Sequence, residues 1–350
     1  MERQKVIIST NLESALTAAV GECERDRMFV LVDETTEKLC LPLVGSFNCV
    51  CKAEPIVIGA TDEHKTLESL THVWECLQRG GATRHSLLIN LGGGMVTDLG
   101  GFAASTFKRG INYINIPTTL LSMVDASVGG KTGINFGGLK NEIGVFNNAR
   151  SVILDTRFLK TLDHENICSG YAEMLKHGLI ATEAMWGELV NFELGTPDLY
   201  QLSWLLADSV QVKERIVEQD PTEKGLRKAL NLGHTIGHAF ESLALQRSPI
   251  LHGYAVAYGL ICELYLSCIK TGFPTDKMRQ TVRFIKENYG QMSITCEDYP
   301  TLLELMTHDK KNVAGEINFT LLGGVGDIRI NQTATPEEIQ EALDFYREGL

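Results

Sequence analysis

A series of short, β-branched apolar runs in the first half of the chain most limits what it can fold into. The runs are 28–32 (MFVLV), 55–59 (PIVIG), 86–91 (SLLINL), 111–116 (INYINI) and 151–155 (SVILD). Segments of helical length lie between several of them, such as 65–79, where Leu70, Val73 and Leu77 recur at helical spacing. Alternation of strand, helix and strand is typical of a parallel sheet covered by helices. The first half is therefore predicted to be an α/β domain.

The second half has a different pattern, with long helical periodicities and few strand signals from about residue 161. Its last helix is the best marked, because Thr335, Pro336 and Glu338 supply an N-cap, a first-turn proline and a capping-box glutamate. One hairpin is predicted from 317–322 (INFTLL) and 327–330 (DIRI). The sequence thus predicts an α/β domain over residues 1–160 and a mostly helical domain over residues 161–350.

Composition excludes several classes of protein. The 350 residues are 44% hydrophobic, which is enough for packed cores, and the length permits two domains. Lys and Arg number 32 against 44 for Asp and Glu, so the net charge of −12 has the wrong sign for a general nucleic-acid or anionic-membrane binder. An anionic substrate therefore requires a local basic site.

The cysteines and the apolar segments indicate the compartment. Nine cysteines, an odd number without a CxxC pair, are predicted to be reduced core residues. The apolar run 6–8 is too short for the core of a secretory signal, and the stretch 254–262 is too short to span a bilayer. The expected compartment is the cytoplasm, with no membrane partner.

Two glycine-rich segments suggest ligand sites. Gly92, Gly93 and Gly94 follow an apolar run and precede a helical pattern, which suits a pyrophosphate, although Thr97 stands where GxGxxG requires its last glycine. The Gly-Lys-Thr at 130–132 is not a P-loop, because Asp125 occupies the place of the first glycine. A tight turn and a solvated loop remain the alternatives for these two segments.

Polar residues at helical spacing predict a further site in the second half. Arg227, Asn231, His234 and His238 fall within a stripe roughly 60° wide if the segment is one helix. Two His four residues apart can bind a metal, but the Glu of HExxH is missing, which argues against a zinc-peptidase helix.

A carboxylate elsewhere in the second half could complete a metal site. Glu173 with His234 and His252 would make two imidazoles and one carboxylate, the pattern of a catalytic zinc. The alternative for Glu173 is an ordinary surface ion pair with Lys176.

The chain resembles the 3-dehydroquinate synthase family in a series of segments that occur in the family's order. They are LGGGMVTDLGGFAASTFKRG, IPTTLLSMVDASVGGKTGINFGGLKN, YAEMLKHG, RKALNLGHTIGHAFE, LHG and HDKKN, between about residues 60 and 320. The resemblance implies an N-terminal Rossmann-like nucleotide domain and a helical metal- and substrate-binding domain, with the active site between them, usually in a homodimer. It also implies NAD and a divalent metal, usually zinc with cobalt as the alternative.

The resemblance assigns roles to individual positions. The metal ligands match Glu173, His234 and His252, and His238 matches a substrate or proton-handling position. Catalytic and substrate-contacting positions match Arg109, Asp125, Lys131, Asn141, Lys176, Lys213, Arg227, Asn231, Lys310 and Lys311. Nucleotide positions match Asp62, Lys65, Gly92, Gly93, Gly94, Asp98, Thr118, Thr119, Asp125, Lys131, Lys140, Phe158 and Thr161.

Two short segments depart from the family's pattern. The family's ExxK reads Asp62-Glu63-His64-Lys65 here, which leaves open whether Asp62 or Glu63 contacts the adenosine ribose. The family's Asp-Glu reads Asp220-Pro221, with Glu223 still present. Both departures concern local contacts and not the reaction.

The reaction that the resemblance implies converts the seven-carbon keto-acid phosphate DAHP into 3-dehydroquinate in the shikimate pathway. NAD oxidises the substrate, phosphate is eliminated, the same NADH reduces the product, and an intramolecular aldol addition closes the ring. The alternatives are another sugar-phosphate cyclase, a metal-dependent glycerol-type dehydrogenase, or a non-catalytic relative. The unaltered Asn231 and His238 argue against the first, and the many substrate-binding cations argue against the second. The intact metal ligands argue against the third.

Overall fold

The computed structural model describes residues 4–307 and 317–349. The chain forms two compact units, Met1–Asp163 and His164–Leu350. Among the described residues, the first unit combines eight strands with four α-helices, and the second is mostly helical.

The strands of the described residues form one large sheet and two hairpins. They are β1 (Lys5–Ile8), β2 (Met28–Asp33), β3 (Glu54–Ile58), β4 (Leu87–Gly92), β5 (Asn112–Pro117), β6 (Lys131–Phe136), β7 (Leu139–Phe146), β8 (Ser151–Leu154), β9 (Asn318–Gly324) and β10 (Asp327–Thr333). The six-stranded sheet has the order β1-β8-β5-β4-β2-β3, and all its pairings are parallel. β6 pairs with β7, and β9 with β10, in antiparallel hairpins.

The α-helices of the first unit are α1 (Leu12–Gly21), α2 (Glu34–Leu39), α3 (Leu67–Arg79) and α4 (Gly94–Thr106). Those of the second are α5 (His164–Ala181), α6 (Glu183–Val190), α7 (Leu199–Gln219), α8 (His234–Leu245), α9 (His252–Thr271), α10 (Thr275–Tyr289), α11 (Tyr299–Thr307) and α12 (Pro336–Glu348). No helix in these ranges is long and apolar enough to cross a membrane.

The predicted fold class, a parallel α/β sheet followed by a helical half, is confirmed. The five predicted runs form β2, β3, β4, β5 and β8, each within one residue at either end. Residues of β4 and β8 are buried throughout, which explains why these strands read as continuous apolar runs. The predicted helix over 65–79 begins at Leu67, because the Thr66 hydroxyl caps it by accepting from the Ser69 amide at 3.2 Å.

The strand order creates a crevice at the carboxyl edge of the sheet. The chain leaves β2 toward β3 on one side and leaves β4 toward β5 on the other, although β2 and β4 are neighbours. In open parallel sheets, ligands bind outside the carboxyl ends of two such strands. Asp33 and Gly92 are the last residues of β2 and β4, so they mark that crevice.

Helix α9 runs through the core of the second unit and touches two neighbouring backbones. A Cβ atom at Gly253 would collide with the backbone of Ser169 on α5, and one at Gly259 would collide with the carbonyl of Gly233 before α8. These glycines therefore allow α5, α8 and α9 to approach closely. The predicted β9–β10 hairpin and the predicted Thr335–Glu338 capping box of α12 are both confirmed.

Two expectations are wrong. The segment that carries Arg227 and His238 is not one helix: a 3₁₀ helix ends at Asn231, Gly233 takes φ +79°, and α8 begins at His234. This left-handed glycine separates the 3₁₀ helix from α8 and breaks the helical stripe. The nine cysteines are all free thiols, as predicted, but five are not core residues: Cys51 and Cys296 are exposed, and Cys49, Cys76 and Cys268 are part-buried.

Candidate active site

The second unit brings one carboxylate and two imidazoles together. Glu173 lies in the middle of α5, and His234 and His252 are the first residues of α8 and α9. The Nε2 atoms of His234 and His252 lie 3.2 and 3.5 Å from the same oxygen, Glu173 Oε1. The three predicted metal ligands therefore converge on one point.

Hydrogen bonds at the far nitrogen orient both rings. His234 Nδ1 donates to the Leu232 carbonyl at 3.0 Å, and His252 Nδ1 contacts Glu241 Oε2 at 3.0 Å. Because each Nδ1 is engaged in this way, Nε2 is the nitrogen that faces Glu173. Metal-binding histidines are oriented by this kind of second contact.

The donor set at this point fits a divalent cation. Glu173 Oε1 is fully buried and accepts no well-aligned hydrogen bond from the residues that the structure describes. Two imidazole nitrogens and one carboxylate oxygen are ligands that suit Zn²⁺ or Co²⁺. The position between them is where such an ion would satisfy the buried oxygen.

The charges around Glu173 favour its ionised form. Burial alone would raise the pKa of Glu173, but Lys176 and His234 hold it well below its ordinary value. Burial lowers the pKa of His234 to about 4, so this ring is neutral near pH 7. Burial also disfavours the charged form of His252, but the carboxylates of Glu241 and Glu173 raise its pKa to about 10. A cation bound here would therefore replace a proton on His252.

His238 belongs to the same cluster. It lies one turn after His234 on α8, and its ring centre is 5.3 Å from that of His234 and 5.9 Å from that of His252. Ring nitrogens of the three histidines lie within 4.8 Å of one another. The structure brings His238 to the candidate metal centre, and its predicted role beside the ligands stays a prediction.

Three cationic side chains are buried among the residues described in the second unit. The side chains of Lys176, Lys213 and Arg227 are 1%, 5% and 2% exposed. Lys176 Nζ donates to Glu173 Oε2, and both side chains are buried, so the alternative of a surface ion pair is wrong. Buried charges require partners of opposite charge, which an anionic substrate would also supply.

The loop before α8 is organised by Asp220. Its carboxylate accepts from the amides of Lys224, Gly225 and Arg227 at 3.0, 2.7 and 3.0 Å. Arg227 Nη1 donates to the Pro221 carbonyl at 2.7 Å, a contact that does not depend on the side chain at 221. The departure from the family's Asp-Glu therefore leaves Arg227 held. Asn231 Nδ2 donates to Glu223 Oε1 at 2.8 Å.

In the first unit, the predicted nucleotide residues gather at the carboxyl edge of the sheet. Gly92 ends β4, and α4 begins at Gly94 without a side-chain cap, so its first amides are available to an anion. The Thr118 amide donates to the Gly92 carbonyl at 2.9 Å, which ties the end of β5 to the glycine turn. Phe158 and Thr161 lie in the 3₁₀ helix Thr156–Thr161 that follows β8.

A second cluster joins α4 to the β6–β7 hairpin. Lys65 Nζ lies 2.5 Å from Asp98 Oδ2 and also donates to Asn141 Oδ1. Lys140 Nζ lies 3.5 Å from Asp62 Oδ2. Burial raises the pKa of Asp98 against the opposing effect of Lys65. These four predicted nucleotide residues, together with Asn141, are thus brought close to one another.

The remaining predicted residues have different positions. Asp125 lies in the π-helix Ser122–Ala126 after β5, and Lys131 begins β6. The Gln4 side chain holds the intervening loop through Ser127 O and the Gly129 amide, at 3.1 and 3.0 Å. Arg109 precedes β5 and so lies at the amino edge of the sheet. Within the first unit it is therefore at the opposite edge from the turn at Gly92, Gly93 and Gly94. Lys310 and Lys311 lie outside the described residues.

Sequence reasoning missed three acidic residues near these sites. Asp33, at the end of β2, marks the crevice where parallel α/β sheets bind ligands. Glu241 contacts His252, and Glu263 accepts from the Gly233 and Ile236 amides. An acidic residue directly after a buried strand, or within an apolar helix, was the available signal.

Comparisons with known proteins agree with this arrangement. Residues 55–169 match the 3-dehydroquinate synthase N-terminal family, and residues 170–312 match the 3-dehydroquinate synthase C-terminal family. A 3-dehydroquinate synthase from Parabacteroides distasonis is 55% identical over 350 residues, which cover 100% of this chain and 99% of that protein. The chain belongs to the 3-dehydroquinate synthase family. The resemblance noted in the sequence is confirmed.

Other relatives and solved structures extend the comparison. A 3-dehydroquinate synthase from Clostridium tetani is 34% identical and covers 98% of this chain and 92% of its own. The 2-epi-5-epi-valiolone synthase of Streptomyces hygroscopicus subsp. jinggangensis, solved with NAD⁺ and Zn²⁺, superposes with a TM-score of 0.86 at 25% identity, covering 99% of this chain and 98% of that chain. A 2-deoxy-scyllo-inosose synthase, at 23% identity, has a TM-score of 0.85 over 100% and 98% of the chains and shares the fold.

Proposed function

We propose that this member of the 3-dehydroquinate synthase family converts DAHP to 3-dehydroquinate and phosphate, with NAD and one divalent metal as cofactors. The observation that carries the chemistry is the convergence of two imidazoles on the buried Glu173 oxygen. The 55% identity to a 3-dehydroquinate synthase over the full chain supports the substrate.

Glu173, His234 and His252 would hold the metal. Bound there, a divalent ion would polarise substrate oxygens and lower the cost of removing their protons. Zinc is the preferred ion and cobalt the alternative, since both accept nitrogen and oxygen ligands. Glu241 and the Leu232 carbonyl keep the two imidazoles oriented through Nδ1.

The carboxyl edge of the sheet in the first unit would hold NAD. NAD would supply a hydride acceptor that returns its hydride within the same catalytic cycle. Amides at Gly92, Gly93 and Gly94 would receive the pyrophosphate, because an uncapped helix N-terminus favours anions. The other contributors would be Asp62, Lys65, Asp98, Thr118, Thr119, Asp125, Lys131, Lys140, Phe158 and Thr161.

Cations and amides would bind the carboxylate and phosphate of DAHP. Lys176, Lys213 and Arg227 are buried, so an anion beside them meets little screening by water. They supply locally the positive charge that a chain with a net charge of −12 lacks overall. Lys131, Asn141, Arg109, Lys310 and Lys311 are the further proposed substrate contacts. His238 would move a proton, and Asn231 would donate a hydrogen bond.

Two other enzyme functions have less support. Another sugar-phosphate cyclase is the first, since two such enzymes share the fold, but they are only 23% and 25% identical to this chain. A glycerol-type dehydrogenase is the second; a probable glycerol dehydrogenase from Sinorhizobium meliloti has a TM-score of 0.66 at 14% identity. Such a dehydrogenase does not need buried cations such as Lys176, Lys213 and Arg227.

Substrate choice is directly testable. Purified protein with catalytic NAD and Zn²⁺ is expected to release phosphate from DAHP and to turn over sedoheptulose 7-phosphate far more slowly. Asn231→Ala should lower kcat/KM for DAHP by about 10- to 100-fold, because the substrate group that Asn231 would contact loses its hydrogen-bonding partner, at a cost of about 1–3 kcal/mol. His72→Ala, an exposed residue on α3, is the control and should retain full activity. Faster turnover of the sugar phosphate would contradict the substrate assignment.

A homodimer in the cytoplasm remains part of the proposal. Strand β7 is exposed along its whole length and carries apolar side chains; Ile143, Val145 and Phe146 are 39%, 38% and 43% exposed. Its only strand partner within the described residues is β6. Exposed apolar edge strands invite pairing with another chain unless they are covered. The exposed apolar side chains of β7 therefore support this strand as the surface that a second copy of the chain covers.

The dimer surface predicts a change in mass. Val145→Lys is expected to shift the protein from dimer to monomer in analytical ultracentrifugation, because a buried lysine without a partner opposes association. Thr71→Lys, on the exposed side of α3, serves as the control and should leave the dimer intact. A monomeric wild-type protein, or a Val145→Lys dimer of unchanged affinity, would count against this surface.

A further inference from the structure

Helix α8, which begins with His234, has no side-chain cap of its own. Its N-cap residue is Gly233, which makes no capping hydrogen bond. The first amides of a helix lack intrahelical acceptors and need them from elsewhere. Glu263 supplies them: Oε2 accepts from the Gly233 amide at 2.6 Å and Oε1 from the Ile236 amide at 3.1 Å. A carboxylate from α9 therefore replaces the missing cap.

The position of Glu263 suits a fixed anion. Its side chain is fully buried, and a buried carboxylate is costly unless it is hydrogen-bonded. The N-terminus of α8 supplies both amide donors and a positive dipole end, which favour the negative charge. The short contact to Gly233 is typical of a charge-assisted hydrogen bond.

The two hydrogen bonds of Glu263 bracket His234. One holds the residue before it and the other holds Ile236, two residues after it. The side chain of His234 is held separately, because its Nδ1 donates to the Leu232 carbonyl. The backbone and the ring of His234 are therefore fixed by separate contacts, and the backbone contact comes from Glu263.

Glu263 also links the two imidazoles. It lies on α9, three turns after His252, which begins the same helix. Eleven residues of helix form a stiff spacer of about 16 Å. Because the spacer is rigid, a carboxylate that holds the start of α8 sets where His234 lies relative to His252.

We propose that Glu263 is a positioning residue of the metal site. This inference rests on the proposed function, since it concerns the ligands assigned there. The Glu263 carboxylate fixes the position of the start of α8 relative to α9, so that the Nε2 atoms of His234 and His252 face the same Glu173 oxygen. It touches neither substrate nor metal.

Metal affinity of the stripped protein tests the proposal. Metal-free full-length protein is titrated with Co²⁺, followed by its visible absorption, and with Zn²⁺ in competition with a chelator. Glu263→Gln is expected to bind one ion 10- to 100-fold more weakly than wild type, the usual effect of losing an outer contact of a metal site. The amide keeps one acceptor but turns an NH₂ group toward a backbone N–H.

A matched variant separates positioning from general stability. Thr281→Val removes a buried acceptor on α10, where the hydroxyl accepts from Trp186 Nε1 at 3.0 Å. It is expected to lower the Tm yet bind Co²⁺ with wild-type affinity and absorption. In Glu263→Gln, the rise in Tm on adding metal should also shrink, because that rise follows the affinity. A purely structural cap would lower the Tm with and without metal by the same amount.

The possible outcomes distinguish this inference from the proposed function. Wild-type affinity and an unchanged Co²⁺ spectrum in Glu263→Gln would overturn the role of Glu263 and leave the site intact. If that variant does not fold, Glu263→Asp, which keeps the charge but loses reach, is titrated in the same way, and wild-type affinity there would also overturn it. A wild-type protein that binds no metal, or His234→Ala that binds it normally, would contradict the metal site itself.

Discussion

Replacing His234 or His252 by alanine is expected to remove the bound metal and to lower kcat/KM for DAHP by roughly three orders of magnitude or more. A metal of this kind supplies several kcal/mol of charge stabilisation, and each 1.4 kcal/mol is worth a factor of ten. Elemental analysis after dialysis, with phosphate release as the activity assay, measures both losses together. For the carboxylate, Glu173→Gln is preferable to alanine, because it fills the space beside the buried Lys176.

His238 provides the matched control for these ligand variants, since it lies in the same cluster. His238→Ala is expected to keep its metal while losing activity, in line with a proton-handling role. Full metal content in the Glu173, His234 and His252 variants would rule out the assignment. If only His238→Ala lost metal, the pair spaced by four residues on α8 would be the better ligand set.

Removal of NAD is expected to abolish activity, and a catalytic amount is expected to restore it. The same nucleotide accepts and returns the hydride in each cycle of the proposed reaction, so it is needed but not consumed. Phosphate should therefore accumulate over many turnovers while absorbance at the wavelength of reduced nicotinamide stays flat. An ordinary dehydrogenase would produce NADH in proportion to product.

Glycerol with excess NAD is the control substrate for this experiment, because it detects a simple dehydrogenase activity on the same scaffold. The protein is expected to leave NAD unreduced in that mixture. Steady NADH formation that matches phosphate release, or full activity in protein shown to contain no nucleotide, would contradict the proposed mechanism.

The strands of the main sheet were largely predictable, because buried parallel strands such as β4 and β8 leave continuous apolar runs in the sequence. The β6–β7 hairpin was not, since β7 is exposed and its sequence is interrupted by polar residues and glycine. β1 was missed because it is a four-residue edge strand that begins with a charged residue. The break at Gly233 could not be foreseen from periodicity, which continues across it.

At the candidate site, sequence motifs predicted which residues take part better than they predicted the burial and hydrogen-bond partners of those residues. Glu173, His234 and His252 lie on three helices, so their ligand types suggested the set and the family motif supported it, whereas their spacing in the chain did not predict that they meet. Burial of the Glu173–Lys176 pair depends on α5 being enclosed, which a spacing of three residues does not reveal. Glu241 and Glu263 act through hydrogen bonds across α8 and α9, so their roles became visible only with the packing of those helices.

The close approach at Gly253 and Gly259 matters to anyone who would transplant this centre into another protein. Neighbouring helices usually lie 8–10 Å apart, with side chains filling the gap. Here two positions on α9 have no room for a methyl group, because the backbones of Ser169 and Gly233 already occupy that space. A designer who copied the three ligands onto a helical bundle of ordinary spacing would hold them too far apart to share one ion. A scaffold for such a graft therefore needs glycine at the positions of Gly253 and Gly259 before the ligands are placed.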